Sequence, residues 1–146
     1  MKKKSTSQIT IRRARNSDLP EIFQLAEARE LAPPNKPLAE RIWIRDHLRA
    51  KQILLVAVNK KDIIGFSMGE KLVSQVVIHH LLIVHHRWRR QGVATKLLQS
   101  LEREAKRRRA SCILGYGVVS SKGIHRLLKK HHYQAGSLVR EYQKFL

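Results

Sequence analysis

The sequence is poor in cysteine, in acid and in aromatic side chains, and each shortage removes a class of protein. Cys112 is the one cysteine in 146 residues, so neither an intramolecular disulfide framework nor a cysteine-built zinc site is available, and a reducing, cytoplasmic setting is expected. Aromatic residues make up 5%, with no strand-spaced pair suited to stacking nucleic-acid bases. No apolar run approaches the roughly 18 residues that cross a bilayer. Lys2-Lys3-Lys4 leads into Ser5-Thr6-Ser7-Gln8 rather than an apolar signal core, so neither a targeting nor a transmembrane segment is expected. Acidic residues number 11 against 30 Lys and Arg, a formal charge of +19. Beyond residue 73 the only acids are Glu102, Glu104 and Glu141. Such a surplus asks for an anionic partner: nucleic acid, a membrane surface or an anionic small molecule.

What is present is enough apolar material to fold. At 42% hydrophobic the chain can offset the entropy of ordering, and its length suits one domain, read as 9–146 behind a basic N-terminal extension, 1–8. Ile9 to Arg13 alternates like a strand. Asn16-Ser17-Asp18 offers caps for a helix carrying Leu19, Ile22, Phe23, Leu25 and Ala26, which stops by Pro33-Pro34. A second helix, about Leu38 to Ala50, is read with Ile42, Trp43 and Leu48 inward. Ile53 to Val58 and Ile63 to Met68 form a hairpin across Asn59-Lys60-Lys61-Asp62, and Val76 to Val84 supplies a third, β-branched run. From Gly92 the apolar period becomes helical, with Val93, Ala94, Leu97, Leu98, Leu101 and Ala105 on one face and a basic far end. Cys112 to Tyr116 reads as a strand, Ser120-Ser121 as caps for a helix with Ile124, Leu127 and Leu128 inward, and Leu138 to Leu146 as a closing strand. The order predicts an α/β protein (α+β mixed sheet) with helices on both faces.

The junction after Val84 carries the most chemistry. A strand ends, a basic turn follows, and Gly92 stands where a helix begins. The first turn of a helix has unpaired N–H groups and a partial positive charge, so this junction can hold a phosphate or pyrophosphate, with Arg89, Arg90 and the Thr95 hydroxyl adding hydrogen bonds. An ordinary strand-to-helix turn with a solvated basic surface is the alternative. Arg89-Arg90-Gln91-Gly92-Val93-Ala94 resembles the R/Q-x-x-G-x-G/A motif of the GCN5-related N-acetyltransferase (GNAT) superfamily. Leu82-Ile83-Val84 is similar to its L-x-V strand, and the element order agrees. The resemblance implies a single acyl-CoA N-acyltransferase domain with splayed central parallel strands. It further implies acetyl-CoA as cosubstrate, bound by the backbone of Leu82, Ile83 and Val84 and by Arg89, Arg90, Gln91, Gly92, Val93, Ala94 and Thr95, with Ser121 at a family position on the last helix. His80, Leu82, Val84 and His85 also resemble the arylalkylamine N-acetyltransferase branch, whose first histidine corresponds here to Ile78.

The implied reaction moves an acetyl group from acetyl-CoA to a primary amine of a small molecule, peptide or protein, by direct attack in a ternary complex. Histidine can take the amine proton. His79 and His80 are neighbours on a strand and point to opposite faces; the resemblance selects His80 for the cleft. Glu70 is an alternative proton acceptor. The family's last-helix tyrosine corresponds to Leu128, so the thiolate proton is left to Tyr133, His131, Tyr116 or solvent. Cys112 reads as a packed small hydrophobe or, less directly, a nucleophile. Trp88 either covers the cosubstrate or packs on the following helix, and Trp43 either borders the acceptor groove or joins the core. His79-His80, His85-His86 and His131-His132 lack carboxylates or thiolates at metal-site spacing, so no metal is expected. The C-terminal stretch leaves the acceptor side either open to a peptide or completed by a second copy in a homodimer. The competing reading is a catalytically weak member of the same fold, acting as a nucleic-acid-associated or adaptor module through Arg87, Arg89, Arg90, the run at 103–109, Lys122, Arg126, Lys129 and Lys130.

Overall fold

A computed structural model of the chain describes residues 8–28, 37–116, 121–138, 142 and 144. Residues 1–116 and 117–146 form separate units. The first runs β1 (Ile9–Arg13), α1 (Leu19–Glu27), α2 (Pro37–Arg49), β2 (Ile53–Asn59), β3 (Asp62–Lys71), β4 (Val76–Val84), α3 (Val93–Arg107) and β5 (Cys112–Gly115). The second contains α4 (Lys122–Lys130). The closing strand expected at 138–146 falls largely outside the described residues, as does the N-terminal extension apart from Gln8.

One mixed sheet, ordered β1-β2-β3-β4-β5, carries the first unit. Its first four strands are antiparallel neighbours, while β4 and β5 are parallel. β2 is almost wholly buried because both of its faces are covered. On one face Ile22, Leu25 and Ala26 of α1 and Ile44 of α2 pack with Val56, Phe66 and Met68. On the other, Val93, Leu97, Leu101 and Ala105 of α3 pack with Leu55, Ala57, Ile64 and Val77. Each fully buried leucine contributes about 2 kcal/mol of transfer free energy. α3 comes close to the sheet because Gly65 lies beneath it: a Cβ there would stand 2.8 Å from the Ile83 carbonyl oxygen and 3.3 Å from Leu97 Cδ1. Gly65 is opposite Val84, so this contact seats the start of α3 beside the end of β4.

Four sequence expectations change. Ile42 is 41% exposed and Ile44 is fully buried, so α2 turns Ile44 and His47 inward rather than Ile42. Asp18 makes no cap bond to α1; its carboxylate instead accepts from the Arg15 N–H at 2.6 Å and from both Arg12 guanidinium nitrogens at 2.7 and 2.9 Å. Those hydrogen bonds hold the Asp18 carboxyl below its ordinary pKa. Cys112 is exposed, because β5 is a four-residue strand at the end of the described sheet. Ser121 occupies the N-cap position of α4 without a side-chain cap bond. The basic end of α3 is partly neutralised by Glu104, which accepts from Arg13 of β1, Arg107 and Arg108 at 2.6, 2.6 and 2.8 Å. Arg107 first, then Arg108, brings the Glu104 carboxyl down to about 2.

Candidate active site

The register of β4 decides where its histidines point. Met68 pairs with Leu81 but Gly69 pairs with His79, so His80 is an extra residue, a β-bulge. His80 and Leu81 therefore share a face: Leu81 packs on the cluster beneath α1 and α2, and His80 meets Trp43 and His47 of α2. His79 faces the other way, as strand alternation predicts. Its Nε2–H reaches the Leu81 carbonyl oxygen at 3.1 Å and the Ser67 hydroxyl at 2.9 Å.

Burial drives the His79 pKa down to about 4. The imidazole is thus neutral in the fold, and protonation favours the unfolded chain, whose histidine titrates near 6.5. Full stability is present above pH 6.5 and falls as the pH drops toward 4, by about 3 kcal/mol for a shift of this size. Denaturant melts between pH 7 and 4.5, a window above the titration of the paired carboxylates, should show this slope. A folded His79→Gln variant should lose a large part of it, the rest coming from His47, whose pKa burial also lowers; an unchanged slope would assign the proton uptake elsewhere.

Among the described residues β4 pairs β5 from Val76 with Cys112 to His79 with Gly115. The N–H of His85 bonds to Ile64 of β3 at 2.9 Å, so by alternation the N–H and C=O of Leu82 and Val84 face away from β3, along the other edge of β4. Arg89 Nε donates to the Val84 carbonyl at 3.2 Å. Ile83 turns its backbone toward β3 and its side chain into the core.

At the far end of that edge the turn is held by its own bonds. Gln91 Nε2 donates to the Arg87 carbonyl at 3.0 Å, and Arg90 and Gly92 both adopt left-handed backbone conformations, with φ of 59° and 79°. Alternation of this kind turns successive N–H groups into a concave nest. Gly92 is the N-cap of α3, no side chain caps it, and no acidic residue lies in the first turn. A Cβ on Gly92 would find nothing within 4 Å. The Val93, Ala94 and Thr95 amides are the first-turn N–H groups of α3, with no N-cap side chain engaging them, a donor set that fits a pyrophosphate. Trp88 packs on the α3 cluster, which favours the packing alternative.

Upstream on the same strand, His80 Nε2 lies 2.9 Å from Glu70 Oε2. Trp43 stands edge-on to His80 at 4.9 Å between ring centroids, and His47 lies 5.5 Å from His80. His47 is buried, and desolvation first, then the neighbouring His80, lowers its pKa. Sequence reading missed His47. Its signal was the spacing of Trp43, Ile44, His47 and Leu48 on one helical stripe. Of the remaining predicted residues, Ser121 and Tyr133 belong to the second unit, where the Tyr133 N–H bonds to Leu128 at 3.0 Å. Tyr116 ends the first unit, 71% exposed.

The fold has many solved counterparts. A transcriptional regulator from Bacillus halodurans is 19% identical, with a TM-score of 0.80 over 94% of this chain and 100% of that one. An aminoglycoside N-acetyltransferase in complex with CoA is 18% identical, with a TM-score of 0.81 over 97% of each chain. The ribosomal-protein-S18-alanine N-acetyltransferase from Escherichia coli is 14% identical, with a TM-score of 0.77 over 89% of this chain and 80% of that one. At such identities the likeness is one of fold. No curated protein sequence matches significantly, and among the described residues no helix is long and apolar enough to cross a membrane. The family model described as acetyltransferase (GNAT) family matches residues 13–133, most of the sequence, and the chain belongs to that family.

Proposed function

We propose that the protein transfers an acetyl group from acetyl-CoA to a primary amine by direct attack in a ternary complex. One observation carries this reading: His80 of β4 pairs with Glu70 of β3, and β4 runs on about 13 Å, at 3.3 Å per residue, to Val84, from which the turn at 85–92 leads to the uncapped head of α3. A proton acceptor and a candidate anion cradle thus lie along one strand and the turn that follows it. When bound, acetyl-CoA supplies a thioester carbonyl open to attack and a thiolate able to leave. Leu82 and Val84 offer backbone groups along the edge; Gly92, Val93, Ala94 and Thr95, with Arg89 and Arg90, would hold the pyrophosphate. Glu70 fixes the Nε2 proton of His80, which leaves Nδ1 as the basic atom for the amine proton. Trp43 beside that ring supplies an aromatic wall suited to a cationic amine before it is deprotonated. Tyr133 and Ser121 enter this reading only through the family resemblance, in which the tyrosine position falls on Leu128.

The acceptor class follows less directly. Neighbours named for an aminoglycoside and for an alanine of ribosomal protein S18 span small-molecule and protein amines. The basic run that suggested a nucleic-acid module is partly engaged with Glu104, which weakens that alternative. The full chain, incubated with acetyl-CoA and a panel of aminoglycosides, polyamines and peptide N-termini, should release free CoA thiol with at least one of them. Absence of turnover together with absence of acetyl-CoA binding by calorimetry would sink the proposal.

A further inference from the structure

We propose that His47, Glu70 and His80 form a binding site for a borderline divalent transition-metal ion, with Zn²⁺ as the reference ion. The three residues come from α2, β3 and β4, and one ligand atom of each lies within 4.8 Å of the other two. No spacing along the chain announces this set, because it exists only once the bulge at His80 turns its ring toward α2.

Two features separate the cluster from a chance meeting of polar groups. His47 is 6% exposed, and its Nε2 is buried with no hydrogen-bond partner among the described residues. The same ring bonds to the Trp43 backbone; with Nε2 unpartnered, Nδ1–H is the donor and Nε2 keeps a bare lone pair. A backbone carbonyl fixing one imidazole nitrogen while the other coordinates is the usual outer support of a metal-bound histidine. A buried imidazole acceptor left without a donor costs free energy, and a cation would remove that cost.

Two imidazoles and a carboxylate match zinc in ligand type and number, with a fourth position for water. Calcium and magnesium, which prefer oxygen sets, fit poorly. Bonds of about 2.0–2.2 Å place tetrahedral ligand atoms roughly 3.3 Å apart. The His80–Glu70 pair, at 2.9 Å, is already near that separation, so mainly His47 must close in, by up to about 1.5 Å from the 4.8 Å limit. Coordination through His80 Nε2 displaces the proton shared with Glu70 and leaves the ring's proton on Nδ1, so the atom assigned to take the amine proton is no longer basic. The ion should therefore inhibit acetyl transfer if the proposed function holds, while its binding does not depend on that reading.

The test is titration of untagged full-length protein with Zn²⁺ by calorimetry, and with Co²⁺ by visible absorption. The expected result is one tight site with tetrahedral Co²⁺ bands. His47→Gln and His80→Gln should each weaken it by at least about tenfold, the lower end of what losing even an outer partner costs. A double His85→Gln, His86→Gln variant, which removes the stacked surface pair, should bind like the parent. Circular dichroism checks folding, and the His80 variant carries the test if His47→Gln does not fold. No binding by the parent at millimolar ion, unchanged binding by both site variants, or loss of binding with the surface pair would each overturn the site.

Discussion

Replacing Gly92 by aspartate should weaken CoA binding about a hundredfold in a chain that still folds. The residue adopts a left-handed φ of 79°, which aspartate tolerates better than most side chains at a cost near 1 kcal/mol. Nothing lies within 4 Å of where its Cβ would be, so the core feels no steric effect. Aspartate is also a good N-cap, and its charge complements the head of a helix. The same carboxylate, however, occupies the amides of Val93, Ala94 and Thr95 and repels phosphate. Two unit charges about 5 Å apart at an effective dielectric constant near 20 repel by about 3 kcal/mol, which is a hundredfold in affinity. Gly92→Asn, equal in bulk and neutral, should restore most of that loss, so calorimetry on both variants at fixed ionic strength separates charge from shape. A folded Gly92→Asp protein that binds CoA like the parent would remove the α3 head from the pyrophosphate site.

That junction was readable because three local signals coincide within a few residues: a β-branched run, a glycine and a switch of apolar period from two to 3.6. The hairpin of β2 and β3 was readable for the same reason, its polar link being bounded by continuous apolar strands. The acceptor side was not. α2 carries apolar residues at 42, 43, 44 and 48, which admit more than one inward face, and only packing against Val56 and Phe66 selects the face with Ile44 and His47. On β4 itself no glycine or proline marks the bulge at His80; it arises from how β4 pairs with β3, where Gly69 stands at the register shift. Glu104 is likewise one acid in a basic run until β1 brings Arg13 to it. In each case the missing information is tertiary. Local period places the anion cradle, whereas the His47–Glu70–His80 cluster depends on helix phase and strand register, which single-chain patterning does not fix.

The same register leads to the second large effect. His80→Ala should lower kcat/KM for the amine by about 10²- to 10³-fold, the range of a positioned general base, while affinity for acetyl-CoA measured by calorimetry stays near the parent value. The two quantities separate because His80 faces α2 and the proposed pyrophosphate cradle lies beyond the end of β4. Glu70→Gln keeps the imidazole and a hydrogen-bond acceptor near Nε2 but removes the charge that stabilises a protonated ring, so a smaller loss, about tenfold, is expected. pH gives the discriminating readout. An alkylamine with a pKa near 10 is almost wholly protonated at neutral pH, and a base matters most there. As the pH rises toward the amine's own pKa, more of it arrives neutral and the His80→Ala deficit should shrink. A deficit constant with pH would mean that His80 orients the amine rather than accepting its proton. A His80→Ala enzyme within threefold of the parent across the whole range would take the residue out of the chemistry.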